Sequence, residues 1–368
     1  MTTITTTTTT FFQEYLQHYQ PYKDYWNYED GCVLLGCRKL YEATGEAQYA
    51  AFITEYLSER VAEDGTIPSY PADRFALDSF NCGKALFFAA EQTGEARYHK
   101  AIAWQAAQIR QHPRTKSGLC WHKRIYPEQI WLDGIYMAAP FFAEYALYSG
   151  ESGIYPQIGH CFDYLYQHLR DPKTGLYYHA LDESRCQPWA HPETGLSRTY
   201  WLRGEGWLLM ALADTYALLP EHQSKLREQL AQMLTEASEA LLQYRTETGL
   251  LCQVIDRQTL PQNYTESSGT LMAAYALMTG AAYGALPAEQ FETGAAMLQA
   301  VIREKLQKTS AGTVLKDICS AAGLGGTPLR DGTCAYYLSE PAVSNDPKGV
   351  GALMLACGQH ALISRTKP

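Results

Sequence analysis

A chain of 368 residues with 46% hydrophobic content can bury a large core, and no linker-like stretch divides it after its first ten residues, so one domain is expected over 11–368. The formal net charge of -9, with no Lys/Arg cluster, argues against a nucleic-acid or anionic-membrane surface and leaves room for a small anionic substrate held by one or two buried cations. No apolar run approaches membrane-spanning length.

At the N-terminus, MTTITTTTTT has neither the basic start nor the apolar core of a secretory signal and is expected to be disordered over 1–10. The next segment, FFQEYLQHY (11–19), suits an outer helix. The stretch YEATGEAQYAAF (41–52) returns as AEQTGEARYHKA (90–101), with a looser echo YSGESGIYPQ (148–157). Each echo stands between an apolar helical segment and an amphipathic one, its glycine suited to ending the first. A second phrase recurs between helix pairs: DGTIPSY at 64, SGLCWHK at 117, TGLYYHA at 174 and TGLLCQV at 248. Gly followed by alternating residues reads as a tight turn into a short extended segment.

Six segments fit a buried first helix: 29–43, 78–92, 133–148, 202–218, 266–282 and 346–361. Their amphipathic partners lie near 46–60, 95–112, 152–170, 221–244 and 287–307, with 11–19 as the sixth, closing the ring against the C-terminal helix. Six alternating pairs predict an all-α (α/α)6 barrel. An open solenoid is the alternative, but it requires polar capping repeats that the ends lack. Parallel inner helices bring their starts to one mouth. The polar residues there are Glu29 and Asp30, Asp78 with Asn81, Asp133, Arg203 with Glu205, Glu266 with Ser267 and Ser268, and Asp346 with Lys348. Six positive helix ends favour an anionic ligand.

Within this ring, IWLDGIYMAAPFF (130–142) carries Asp133 in apolar, aromatic surroundings formed by Trp131, Leu132, Ile135, Tyr136 and Met137. Such surroundings raise a carboxylic acid's pKa and keep its proton, although Asp at a helix start also reads as an ordinary cap. Asp78 holds the same place one repeat earlier, as a cap or facing Asp133 across the funnel. His122 and His179 come from the connecting phrases and can project to the same mouth, or be structural. Arg203, between Trp201, Leu202 and Trp207, needs an anion, either an internal partner such as Glu205 or a substrate carboxylate. The 27 tyrosines and 7 tryptophans against 11 phenylalanines favour flat faces with a polar edge, which sugars use. The ten cysteines show no CxxC spacing and suit reduced thiols in the cytoplasm rather than disulfides or zinc.

IWLDGIYMAAPFFAEY, TYWLRGEGWLLMALADT, ESSGTLMAAYAL and YYLSEPAVSNDPKGVGALMLA, in that order, resemble glycoside hydrolase family 105, the unsaturated rhamnogalacturonyl hydrolases, and more distantly the unsaturated glucuronyl hydrolases. The resemblance spans about residues 20–362. It implies an (α/α)6 barrel, Asp133 as catalytic acid, and roles at the uronate site for Asp78, His122, His179, Arg203 and Trp207; Asp78 is the second catalytic candidate, and Trp131 and Tyr136, near Asp133 in sequence, are further substrate-binding candidates. The implied substrate is a small anionic oligosaccharide bearing a C4=C5 double bond, with neither cofactor nor metal. The stretch LKDICSAAGLGG (315–326) departs from the pattern and leaves the leaving-group side open, as are the leaving sugar and the oligomeric state. Read from the residues alone, Asp78 and Asp133 also suit an ordinary inverting glycosidase, the two histidines an epimerase on the same toroid, and the aromatic content a non-catalytic sugar-binding module.

Overall fold

The computed structural model describes residues 6–310 and 312–366. Its inner helices are α2 (Tyr28–Thr44), α4 (Ser79–Thr93), α6 (Leu132–Ser149), α8 (Leu202–Leu218), α10 (Ser267–Ala282) and α13 (Pro347–Thr366). Each packs on the next, and α13 returns to α2, so the ring is closed as the six-pair reading expects. The central residues of α8 and α10 are buried on every side, as helices apolar all round must be. The outer helices are α3 (Ala47–Ser58), α5 (Ala96–Gln108), α7 (Tyr155–His168), α9 (Ser224–Leu242) and α11 (Gln290–Lys305), and each buries one face.

The sixth outer position belongs to α1 (Thr6–Gln17), whose Phe11 and Phe12 enter the main core. Just beyond it Tyr19 packs edge-on against Phe52 of α3, and Glu14 lies beside Gly312 in the hairpin that follows α11. The threonine-rich start therefore differs from its expectation of disorder over 1–10: residues 6–10 are helical, and Thr8 is buried beneath the first turns. Residues 1–5 lie outside the described residues.

The repeated glycines work as turn chemistry requires. Gly45, Gly94 and Gly150 end α2, α4 and α6 at φ 72°, 68° and 76°, the left-handed region where a side chain is strained. Pro140 inside α6 has no N–H to offer the Tyr136 carbonyl, and buried Lys84 of α4 donates its Nζ there at 2.8 Å. Burial pushes Lys84 down to about 7.

Short strands cover the mouth: β1 (Gln129–Trp131) pairs antiparallel with β2 (Ala180–Asp182), β3 (Leu306–Thr309) with β4 (Gly312–Leu315), and β5 (Ile318–Cys319) with β6 (Ala342–Val343). A short helix, α12 (Cys334–Ser339), stands between the last two strands. All ten cysteines are free thiols, and among the described residues no helix is long and apolar enough to cross a membrane.

Candidate active site

One backbone ladder places the polar side chains. The connecting phrases turn on Gly65, Gly118, Gly175 and Gly249, at φ 88°, 88°, 76° and 91°. Four residues after each glycine, a carbonyl accepts a hydrogen bond from the start of the same unit's inner helix: Ser69 from Trp26, His122 from Leu77, His179 from Leu132 and Gln253 from Leu202, each at 3.0 Å. The following residue in each unit is then Asn27, Asp78, Asp133 or Arg203. In two units the ladder sets the connector's side chain beside the polar side chain of its own helix start, pairing His122 with Asp78 and His179 with Asp133, whereas Gln253 turns to Trp201 and Tyr337.

Asp133 is the second residue of α6, and its Oδ2 lies 2.9 Å from His179 Nε2. The opposite ring nitrogen, Nδ1, is 2.7 Å from the Tyr337 hydroxyl, and His179 is enclosed by Trp131, Trp201 and Tyr337. The apolar surroundings alone predict an elevated pKa for Asp133. Burial does push that way, but the contact with His179 and the Arg203 charge outweigh it and hold the carboxyl below its ordinary value. The resting group is therefore a paired carboxylate, a correction to the reading of a proton kept by desolvation.

Asp78 precedes α4 yet its side chain caps no N–H there. Its Oδ2 meets Lys123 Nζ at 2.5 Å, and its Oδ1 is 3.7 Å from His122 Nε2. The His122 ring stacks on Trp131 at 4.7 Å, and burial pushes its pKa down to about 4, so it is neutral near pH 7. Its Nδ1 has no partner among the described residues and faces Gly134, where a Cβ would approach to 2.8 Å. The glycine after Asp133 thus makes room for His122.

Arg203 is 1% exposed. Its Nη1 donates to the Cys319 carbonyl and, at 3.3 Å, to Ser268 Oγ, and Glu266 Oε1 lies 4.0 Å away. Glu266 also receives the Cys319 N–H at 3.0 Å, so the 315–326 stretch is tied into the wall of the site on the Arg203 side. Trp201 lies under the guanidinium at 4.8 Å. Among the described residues no hydrogen bond is made by Nη2 or Nε, which leaves one edge of the fork uncommitted.

The expected partner Glu205 points elsewhere, its Oε1 accepting from the Tyr177 N–H. Its Oε2 has no partner among the described residues, and burial pushes its pKa up to about 8. Because this value lies above the roughly 4.3 of an unfolded chain, the folded state holds a proton that the unfolded state loses between those limits, and stability falls as pH rises through that window. Glu205→Gln is expected to remove this fall. Its melting temperature should gain on the wild type steadily from pH 5 to pH 8, by the equivalent of a few kcal/mol at about 1.4 kcal/mol per unit, whereas a constant offset contradicts the assignment.

Trp207 stacks on Tyr136 at 4.8 Å and meets the Tyr28 ring edge-on at 6.4 Å. Tyr136 lies behind Trp207 with Lys84 Nζ over its ring at 3.6 Å, so it supports the floor rather than facing the funnel. The Tyr28 hydroxyl feels Glu29, Arg203, Asp78 and Asp133 together, which shows how closely four helix starts converge. Tyr28, Lys123, Gln253 and Tyr337 lie among the candidate residues and are not singled out by the sequence. Spacing from the connector glycine identifies Gln253, whereas nothing local marks Tyr337.

A cavity of about 290 Å³ beside Asp78 is lined by Tyr25, Tyr28, Glu29, Arg74 and Lys123, among others. A larger one of about 640 Å³, between α5, α6 and α7, is mainly apolar and lies behind these groups. The smaller one carries Asp78 and Lys123 of the candidate site on its wall. Among the described residues no three His, Cys, Asp or Glu side chains are grouped to hold a metal ion.

Residues 2–361 match the family model Glycosyl Hydrolase Family 88. The chain is similar to a glycoside hydrolase from family 105 of C. acetobutylicum ATCC 824, with 43% identity, 92% of this chain and 94% of that chain covered, and a TM-score of 0.88. It is 28% identical over 305 residues to the unsaturated rhamnogalacturonyl hydrolase YesR of Bacillus subtilis (strain 168), covering 79% of this chain and 80% of that protein. The unsaturated glucuronyl hydrolase of Bacillus sp. GL1 shares the fold at 14% identity, with a TM-score of 0.62 over 91% of this chain and 86% of that one. With its closed ring of six inner helices and a family 105 relative matched over nearly its whole length, the chain belongs to glycoside hydrolase family 105.

Proposed function

We propose that this enzyme acts on 4,5-unsaturated uronyl di- and oligosaccharides released by pectin-type polysaccharide lyases, galacturonyl-rhamnose foremost, by hydrating the double bond. The observation that carries the reading is Asp133, paired to His179, within electrostatic reach of a buried Arg203 whose fork has an uncommitted edge. A neutral sugar needs no buried cation, whereas the C6 carboxylate of an unsaturated uronate suits one. The similarity to YesR, by name an unsaturated rhamnogalacturonyl hydrolase, supports the same substrate class. Ten free thiols fit a reducing cytoplasm, where imported fragments would be finished.

The C4=C5 bond is a vinyl ether through the ring oxygen. A proton from Asp133 adds to C4 and leaves oxocarbenium character at C5. Asp133, now a carboxylate, takes a proton from water as its oxygen bonds to C5. The resulting hemiketal opens and releases the leaving sugar. Asp133 is ionised at rest, so it must be protonated when substrate is bound. The incoming carboxylate supplies the cause, because a second negative charge beside Asp133 raises its pKa. Asp78, held by Lys123 and His122, is placed to orient the substrate or the attacking water.

Turnover in heavy water tests the reaction type. Hydration leaves deuterium bound to C4 and oxygen from labelled water at C5, whereas displacement at C1 exchanges only oxygen-bound protons. A product without carbon-bound deuterium at early times would replace this reading with an ordinary glycosidase using Asp78 and Asp133.

A further inference from the structure

We propose that Tyr337 is a positioning residue that keeps the imidazole proton of His179 on Nε2 and thereby places the acid proton of Asp133 on Oδ1, the oxygen turned away from His179. The inference deepens the proposed acid role of Asp133 and rests on it for its link to turnover.

Tyr337 lies on α12, fully buried, with its ring stacked on Trp201 and its carbonyl receiving Gln253 Nε2 at 3.2 Å. It is thereby anchored to the connector residue that stands in the next unit where His179 stands in its own. Burial pushes its pKa well above the usual phenol value, so the hydroxyl keeps its proton. Among the described residues the one acceptor hydrogen-bonded to that hydroxyl is His179 Nδ1, 2.7 Å away.

With Asp133 protonated and the imidazole neutral, a ring that accepts at Nδ1 carries its proton at Nε2. Nε2 therefore donates to Asp133 Oδ2 across 2.9 Å. When Asp133 gains its proton, Oδ2 already faces an N–H, and the proton goes to Oδ1. In the opposite arrangement, Oδ2–H would donate to Nε2 and Nδ1–H to the tyrosine oxygen. That buries the acid proton between two side chains, out of reach of a substrate carbon, and strands the phenolic proton without an acceptor.

Asp133→Asn provides the uncharged stand-in, because its amide can offer Nε2 either an oxygen or an NH2. In protein labelled with 15N-histidine, with the His179 signals identified by their loss in His179→Gln, nitrogen chemical shifts distinguish the two tautomers. The expected result is Nε2–H in Asp133→Asn, with a substantial Nδ1–H population appearing in Asp133→Asn/Tyr337→Phe. Nδ1–H already dominant in Asp133→Asn, which leaves Tyr337 intact, overturns the proposal, as does unchanged Nε2–H in the double variant. In the otherwise wild-type enzyme, Tyr337→Phe should lower kcat about 10- to 100-fold with little change in KM. If the tautomer follows Tyr337 but kcat does not, the link to catalysis is overturned while the proton placement stands. A failure of the hydration reading itself appears separately, in the deuterium experiment.

Discussion

Asp133→Asn is expected to leave the fold intact and to abolish turnover of unsaturated uronides, by at least the 100- to 10,000-fold typical of a general acid or base. The amide keeps the shape of the carboxyl, and its oxygen can still accept from His179 Nε2, which lies 2.9 Å from Oδ2 in the wild type. It has no proton acidic enough to give to carbon and no basicity with which to accept one from water, so both steps assigned to one group fail together. Part of the stability Asp133 supplies comes from its charge, because its pKa is held low in the folded state. That contribution is complete well above the unfolded value near 3.9 and is lost as pH falls through the lower folded one. The variant should accordingly melt somewhat below the wild type near neutral pH and converge with it in acid, while retaining the same helical circular dichroism. Turnover is read as loss of the ultraviolet absorbance of the conjugated double bond. More than a tenth of the wild-type rate in a correctly folded variant would remove Asp133 from the reaction.

The scaffold was legible because its signals are local and repeated. A helix that is apolar all round and opened by polar residues can be read from one segment, and the predicted bounds 78–92 and 202–218 meet Ser79–Thr93 and Leu202–Leu218. The threonine tail misled because composition says nothing of a groove waiting for Thr8, Phe11 and Phe12. The candidate residues were legible as a set, but their partners were not. Asp133 looks desolvated within its own segment, yet the group that determines its charge, His179, arrives from the far end of the same helical unit. Glu205 looks like the partner of Arg203 in sequence, but residues two apart on a helix do not face each other, and the carboxylate nearest the guanidinium is Glu266 on the next inner helix. Tyr136 sits four residues after Leu132 and so follows the stripe that turns inward, beneath Trp207 rather than into the funnel.

Arg203→Lys should raise KM for an unsaturated uronide about 10- to 150-fold, the span expected for losing a hydrogen bond to a charged group worth about 1.5–3 kcal/mol. Nη1 of the guanidinium is committed to the Cys319 carbonyl and Ser268 Oγ, while among the described residues no hydrogen bond commits the rest of the fork, the edge proposed to meet the substrate carboxylate. A lysine ammonium is a single point. It can hold the Cys319 wall or reach the ligand carboxylate, and its charge is harder to keep in a site where the arginine is 1% exposed. The effect must therefore depend on the substrate's charge. The wild type should prefer the free acid to its methyl ester, and Arg203→Lys should reduce that preference mainly by weakening the acid. Equal losses for acid and ester would instead make Arg203 an internal anchor for Cys319 and Glu266, and would leave the uronate carboxylate to another cation at the mouth.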